Sequence, residues 1–355
     1  MPISSEQNSN LEKPAYRLSD YRFDYPDELI AAQPAPTRDA SRLFVLHKQS
    51  GEFEHRRFSD LPSYFTEGDC IVLNRSRVLP ARILGKKETG GKIDLLLVEE
   101  REDGTWSALS ADLKEGRSFS LGGDITGTAL GRSDSNGWIV RFSVGDLKPY
   151  LRDNGFAPLP PYIRRRRRET GEPGGSDLER YQTVYAAEEG SIAAPTAGLH
   201  FTPALLDNLR SRGVSVVEIL LHVGLGTFLP VTASDVRDHA MLPESFSIDD
   251  LAITAIRETK KHGKKVVAVG TTVTRTLETY GENNTRTAGK TSLYITPGHR
   301  FKILDGLVTN FHQPESTPLL LVSAFAGKNS IMRAYREAIK EKYRLFSYGD
   351  SMLIL

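Results

Sequence analysis

An α/β fold, with a mixed, largely parallel sheet, flanking helices and an inserted small β-barrel, is what this sequence predicts. Three observations carry the prediction. In the second half, continuous apolar runs alternate with segments of helical period, the pattern of a parallel sheet covered on both faces. Between about residues 78 and 144 the texture changes to short β-rich runs divided by glycine turns, with no helical period, which reads as a barrel. The 355 residues suffice for two domains and a large core.

Taken in order, residues 1–13 are polar and lack the basic-then-apolar order of a signal peptide, so 1–15 read as a disordered leader. The α/β body then takes 16–77 and 146–355, and the barrel 78–145. Residues 24–33 open with Asp24, Pro26 and the acids Asp27 and Glu28 before turning apolar, which predicts a helix whose charges match its dipole. A strand is expected at 43–47, a short helix at 58–65 and a second strand at 70–74. Barrel strands are expected at 81–84, 93–98, 105–108 and 138–142. The proline-rich 158–162 reads as a stiff turn leading into Arg164, Arg165, Arg166, Arg167 and Arg168, then a glycine-rich 171–175.

The apolar run 191–194 reads as a strand, followed by a tight turn and a helix over 203–212, for which Thr202 is the cap and Pro203 the first residue. A buried strand is expected at 214–222. Residues 249–262 form an amphipathic helix with Leu251, Ile253 and Ile256 inside and a basic last turn. Strand 266–269 and helices 272–280 and 331–342 complete the alternation. There is no internal repeat or low-complexity tract.

Hydrophobic residues make up 39% and charged residues 26%, as in ordinary globular proteins. The net charge is +1, so any nucleic-acid surface must come from local clustering rather than global excess. The single cysteine, Cys70, excludes a disulfide within the chain and a Cys-rich metal site; it fits a reducing cytoplasm and reads as a core residue. No stretch approaches the roughly 18 apolar residues of a membrane helix.

Several stretches join an apolar run to a polar turn holding a histidine: Thr196-Ala197-Gly198-Leu199-His200, Leu221-His222-Val223-Gly224-Leu225-Gly226-Thr227-Phe228 and Val308-Thr309-Asn310-Phe311-His312. Ligands in open α/β sheets bind at such strand ends; a plain connection with a half-buried histidine is the other reading. The Gly224/Gly226 turn lacks the third glycine and the helix of a dinucleotide fingerprint. Gly270-Thr271-Thr272 precedes a helix whose free N–H groups can hold an anion, unless it is an ordinary cap with Arg275 and Glu278 paired on a solvent face. Asp238, His239 and Glu244 place two acids around an imidazole, suited to proton transfer or simply a polar loop. The arginine run is either a solvated loop or a phosphate-tracking patch. Near the C-terminus, Tyr348 and Asp350 offer an aromatic and a carboxylate; aromatics such as Phe346 can stack on an extruded base or serve as core.

As they stand, these stretches resemble the S-adenosylmethionine:tRNA ribosyltransferase-isomerase family of the queuosine pathway, over about residues 21–355. The resemblance implies an α/β body with an inserted barrel and an enzyme whose substrates are S-adenosylmethionine and tRNA, specifically the anticodon stem-loop. It implies transfer and isomerisation of the ribosyl group onto 7-aminomethyl-7-deazaguanine at the wobble position, with loss of adenine and methionine, giving epoxyqueuosine. It implies acid–base work for His200, His239, Glu244 and His312. Substrate binding would fall to Asn74, Arg77, Thr196, Gly198, His222, Gly224, Gly226, Thr271, Thr272, Arg275, Asn310, Tyr348 and Asp350, and tRNA binding to Arg164–Arg168. No metal and no cofactor beyond the S-adenosylmethionine co-substrate is expected, nor any membrane, and the chain is expected to be a cytoplasmic monomer. The sequence departs from the family pattern at Arg75 and Ser76, where Asp-Thr is usual, and at Leu242, where a second histidine is usual. A role needing a carboxylate at 75 does not carry over. These departures are what would favour a non-catalytic RNA-binding relative; a methyltransferase is the third possibility.

Overall fold

In the computed structural model, which describes residues 16–133, 137–171, 177–227 and 230–355, the helix expected over 24–33 does not form, and the segment holds only a 3-10 turn, Asp27–Leu29. Pro34 pushes the residue before it towards extended geometry. Leu345 N donates to Leu29 O (2.7 Å) and Ala31 N to Leu345 O (3.3 Å), so bonds to a distant segment replace helical ones. The leader, residues 172–175 of the glycine-rich stretch and Phe228 lie outside the described residues.

Strands β1 (Arg42–His47) and β2 (Glu52–Arg57) form an antiparallel hairpin. Phe58–Tyr64 winds as a 3-10 helix around Pro62. Strand β3 (Cys70–Asn74) is buried throughout, and burial pushes the Cys70 thiol up to about 12, as befits an inert core residue. After β4 (Ser76–Val78) come β5 (Arg82–Lys87), β6 (Lys92–Glu100), β7 (Trp106–Leu109), β8 (Ser118–Gly122), β9 (Ile125–Arg132) and β10 (Trp138–Phe142). These six close an antiparallel barrel in the order β10-β7-β6-β5-β8-β9. Alternate residues such as Ile93, Leu95 and Leu97 fill it, joined by Leu147, by Leu151 of helix α1 (Lys148–Asn154) and by Ile192 of the body.

The arginine run, read as either a solvated loop or a phosphate-tracking patch, lies on a helix. Helix α2 (Pro161–Thr170) has proline at its first position and closes on Gly171 in the left-handed region (φ +69°). Past α3 (Asp177–Arg180), strand β11 (Glu188–Ser191) pairs with β4 and ends where strand 191–194 was expected to begin. The turn after it is a 3-10 helix, Thr196–His200. Helix α4 (Pro203–Ser211) is capped by Thr202, whose hydroxyl accepts from Leu205 N (3.1 Å).

The remainder alternates: β12 (Ser215–Leu221), β13 (Glu244–Ile248), α5 (Asp250–Lys261), β14 (Val266–Val269), α6 (Thr271–Glu282), β15 (Ala288–Thr291), β16 (Gly306–Asn310), α7 (Thr317–Ala326), α8 (Lys328–Lys340) and β17 (Ser351–Ile354). On α5, Ile253 and Ile256 are buried, but Leu251, expected beside them, is 81% exposed. It stands about 200° round the helix from Ile253.

The nine-stranded sheet runs β15-β13-β12-β3-β14-β16-β17-β1-β2. Its central strands β12, β3, β14 and β16 are mutually parallel, whereas β13, β15 and β2 pair antiparallel at the flanks. Cys70, Val72 and Ala268 face one apolar cluster; Ile71, Leu73, Val267 and Val269 face another. Both sheet faces are therefore covered, which explains the continuous apolar runs. The parallel centre also brings the segments following Asn74, Leu221, Val269 and Asn310 to one sheet edge.

Candidate active site

A cavity of about 570 Å³ opens at that edge. Thr271 and Thr272, at the start of α6, line it together with Gly270. Gly270 has φ +94°, a conformation strained for any residue with a Cβ, and no side chain caps α6. Thr196, Val223, Gly226, Asn310 and His312 line the cavity as well. Tyr25, Tyr162 and Phe346 form an aromatic cluster in the lining, to which Arg165 and Arg168 also belong.

His312 is the candidate acid–base residue that lines the cavity. Its Nε2 lies 2.8 Å from Thr309 Oγ1, and its main-chain N donates to the Tyr335 hydroxyl (2.8 Å). Burial pushes its imidazole down to about 3, so it is neutral at pH 7. His200 stands behind Asn310 rather than in the lining. The Asn310 amide donates to His200 Nε2 (3.2 Å), which leaves the proton on Nδ1 for Ser41 Oγ (2.8 Å). Burial pushes His200 to about 3 as well. Asn310 Oδ1 is buried with no partner among the described residues.

Glu244 also lies outside the lining. One carboxylate oxygen accepts from Gly224 N (2.9 Å), and the other is paired with Arg275. Arg275 lines the cavity and donates through Nε to Leu293 O (2.9 Å). Glu244 thus clamps the glycine turn to α6. The pairing of Arg275 with Glu278 on a solvent face does not occur: both are buried, and Glu278 accepts from the main-chain N of Lys302, Ile303 and Leu304.

His222 joins a second clamp. Its Nδ1 lies 2.9 Å from Ser76 Oγ, which pairs with Ser191 Oγ, and Ser191 accepts from Val223 N (2.8 Å). Burial lowers the His222 imidazole too. Asn74 ties β3 to β12, donating to Leu221 O (2.9 Å) and accepting from Leu221 N (3.1 Å). These contacts fix loops that line the cavity.

Other expected residues stand further off. His239 packs edge-on against Tyr294, whose residue lines the cavity, and burial lowers its imidazole. Arg77 donates to Ala186 O (2.7 Å). Gly198 is a packing glycine: a Cβ there would come 2.1 Å from the Tyr185 hydroxyl. Tyr348 donates to Asp177 (2.9 Å), and Asp350 accepts from Arg42 N and Arg344 N (2.9 and 2.8 Å), so both brace the turn that carries Phe346.

The arginine run divides by helix phase. Arg165 and Arg168 reach the cavity, whereas Arg167 forks onto Asp177 and donates to Ala32 O (2.9 Å). Arg164 faces Asp94 of the barrel (3.6 Å), and Arg166 faces Glu169 (3.8 Å). Tyr25, Tyr162 and Tyr294 were not singled out from the sequence; for Tyr162 the available signal was its place one helical turn before Arg165. The departures from the family pattern lie outside the lining: Arg75 pairs with Glu188 and Asp249, and Leu242 packs beside Gly226. Among the described residues no group of three or more His, Cys, Asp or Glu is placed to hold a metal ion, and no helix is long and apolar enough to cross a membrane.

A family model described as "Queuosine biosynthesis protein" matches residues 18–354. Relatives named S-adenosylmethionine:tRNA ribosyltransferase-isomerase include that of Thermotoga petrophila, 46% identical over 96% of this chain and 100% of its own length. That of Clostridioides difficile is 46% identical over 95% and 99%. A crystal structure of S-adenosylmethionine tRNA ribosyltransferase from Thermotoga maritima is similar at a TM-score of 0.54 and 36% identity, covering 95% of this chain and all of that one.

Proposed function

Because the chain belongs to the S-adenosylmethionine:tRNA ribosyltransferase-isomerase family, enzymes of queuosine biosynthesis, we propose that its cavity joins the ribosyl group of S-adenosylmethionine to 7-aminomethyl-7-deazaguanine at the tRNA wobble position. The observation that carries this reading is a single cavity lined by the hydroxyls at the start of α6, by an aromatic cluster with two arginines, and by His312 and Asn310. Helix N-termini favour anions, so the start of α6 suits the methionine carboxylate. Arginine forks suit phosphates.

The chemistry sets the tasks. The sulfonium acidifies the 5′ carbon, and a base removes a proton there. The substrate amine, held neutral, attacks the anomeric carbon as adenine leaves, and an acid protonates the departing base. The carbanion at the 5′ carbon attacks the anomeric carbon and closes the new ring as the bond from that carbon to the ring oxygen breaks, which leaves the alkoxide on the 4′ carbon. That alkoxide then displaces methionine to give the epoxide of epoxyqueuosine. In this reading His312, neutral at pH 7, accepts a proton from the substrate. His200 orients Asn310, Glu244 orients Arg275 and the glycine turn, and His239 supports Tyr294.

The test is incubation with S-adenosylmethionine and an anticodon stem-loop carrying 7-aminomethyl-7-deazaguanine. Free adenine and methionine in equal amounts are expected. S-adenosylhomocysteine instead would mean methyl transfer, and no product at all would leave an RNA-binding protein. In single turnover, His312→Ala should slow adenine release by roughly 10²-fold or more, the usual worth of a positioned acid–base group, with S-adenosylmethionine binding retained.

A further inference from the structure

The geometry points to the aromatic part of the cavity as the subsite for the extruded purine of the tRNA, with the half-buried ring of Tyr25 as its stacking platform and the buried Phe346 (3% exposed) as the ring that holds it in place; this rests on the function proposed above. Phe346 has φ +71°, in the left-handed region that a bulky residue rarely occupies. The turn holds it there: Gly349 N donates to Phe346 O (2.9 Å), and so does the Asn310 amide (3.3 Å). Glycine would sit at this position without strain, so the ring is maintained against a local backbone preference. Such outliers cluster where a ligand is gripped.

The ring meets those of Tyr25 (5.2 Å, 89°) and Tyr162 (5.2 Å, 60°), and the Tyr162 hydroxyl is tied to Ser347. All three aromatic residues line the cavity. A flat π-faced ligand fits such a wall, and both substrates carry one. Charge decides between them. Tyr162, Arg165 and Arg168 are spaced i, i+3, i+6 on α2, hence on one face. S-adenosylmethionine has no phosphate, and its sulfonium and ammonium outweigh its one carboxylate; Arg165 is partly offset by Asp27 (3.9 Å) and Glu169 (3.7 Å), but Arg168 adds a second guanidinium that disfavours a cationic ligand. An RNA nucleotide brings phosphates on both sides, which the guanidinium groups attract. The purine of the tRNA therefore takes the aromatic part, and S-adenosylmethionine the part at α6, where Arg275 is neutralised by Glu244.

The experiment measures the Kd of the anticodon stem-loop bearing 7-aminomethyl-7-deazaguanine, and separately that of S-adenosylmethionine, for wild type, Phe346→Leu and Tyr25→Leu. Tyr25 is only half-buried, so its variant keeps the test open if loss of the core-facing Phe346 ring impairs folding. Stem-loop binding should weaken roughly 5- to 100-fold in each variant, the usual worth of stacking one base, with S-adenosylmethionine binding unchanged. A stem-loop loss below about fivefold in the folded variants, or a matching loss of S-adenosylmethionine affinity, overturns the assignment. A wild type that releases no adenine refutes the function itself; a wild type that does so beside variants that still bind tRNA normally refutes only the subsite.

Discussion

Glu244 and Arg275 sit 4% and 7% exposed, and each satisfies the other. Removing one partner of a buried pair leaves an uncompensated charge, at a cost of about 3–5 kcal/mol, whereas replacing both with apolar groups costs far less. Arg275→Met should therefore lower the urea midpoint sharply, and Arg275→Met with Glu244→Leu should recover much of it. The histidines give a pH signature. His200 is held neutral by burial, with its folded value about 3 against an ordinary 6.5. As pH falls below about 6.5 the unfolded chain takes the proton first, so stability is full above that pH and is lost below it, by about 1.4 kcal/mol per pH unit for each such histidine. His200→Asn should flatten the slope of unfolding free energy between pH 7 and 5 by about that amount, read from urea titrations at several pH values. Which imidazole faces the cavity was not legible in the sequence. His200 and His312 stand in similar strand-end turns, and only the Asn310 contact separates them.

Elements were legible where burial alone decides them. Strands β3 and β14 are unbroken apolar runs between parallel neighbours, and the structure places both at their expected bounds. Strand β2 escaped notice because it is mostly charged and exposed, paired only to β1 at the sheet edge, where charge is the usual protection against aggregation. Helix α7 is buried nearly all round, so its apolar run carries no amphipathic period. Segment 24–33 carries helix signals but is captured by Leu345, a contact that no local pattern reports. Helix α5 shows how phase matters: Leu251 looked inward and is outward. Leu251→Lys should change stability by less than about 0.5 kcal/mol, whereas Ile256→Ala should cost about 2–4 kcal/mol. Thermal unfolding of the two variants checks the pair.

At the scale of the molecule, the parallel order of four strands gathers loops that are up to about 230 residues apart in sequence, and that gathering follows from the α/β pattern. The aromatic cluster does not follow from it, because Tyr25, Tyr162 and Phe346 come from three distant segments that meet only when the chain closes. The arginine run lay between: visible as composition, but divided between cavity and scaffold by a helix that the prolines concealed. With a net charge of only +1, long-range attraction for RNA is weak, and binding must rest on such local clusters. Each phosphate contact to single-stranded nucleic acid contributes about 0.7 to the slope of log affinity against log salt. Arg165→Ala with Arg168→Ala should therefore reduce that slope by about 1.4 while leaving the fold intact, since both side chains are exposed. Arg167→Ala should behave differently. It strips Asp177 of its fork and Ala32 O of a donor, so thermal stability should fall while the salt slope of the folded fraction holds. Stem-loop titrations at four salt concentrations separate the two roles, and an unchanged slope in the double variant would move the phosphate contacts elsewhere on the protein.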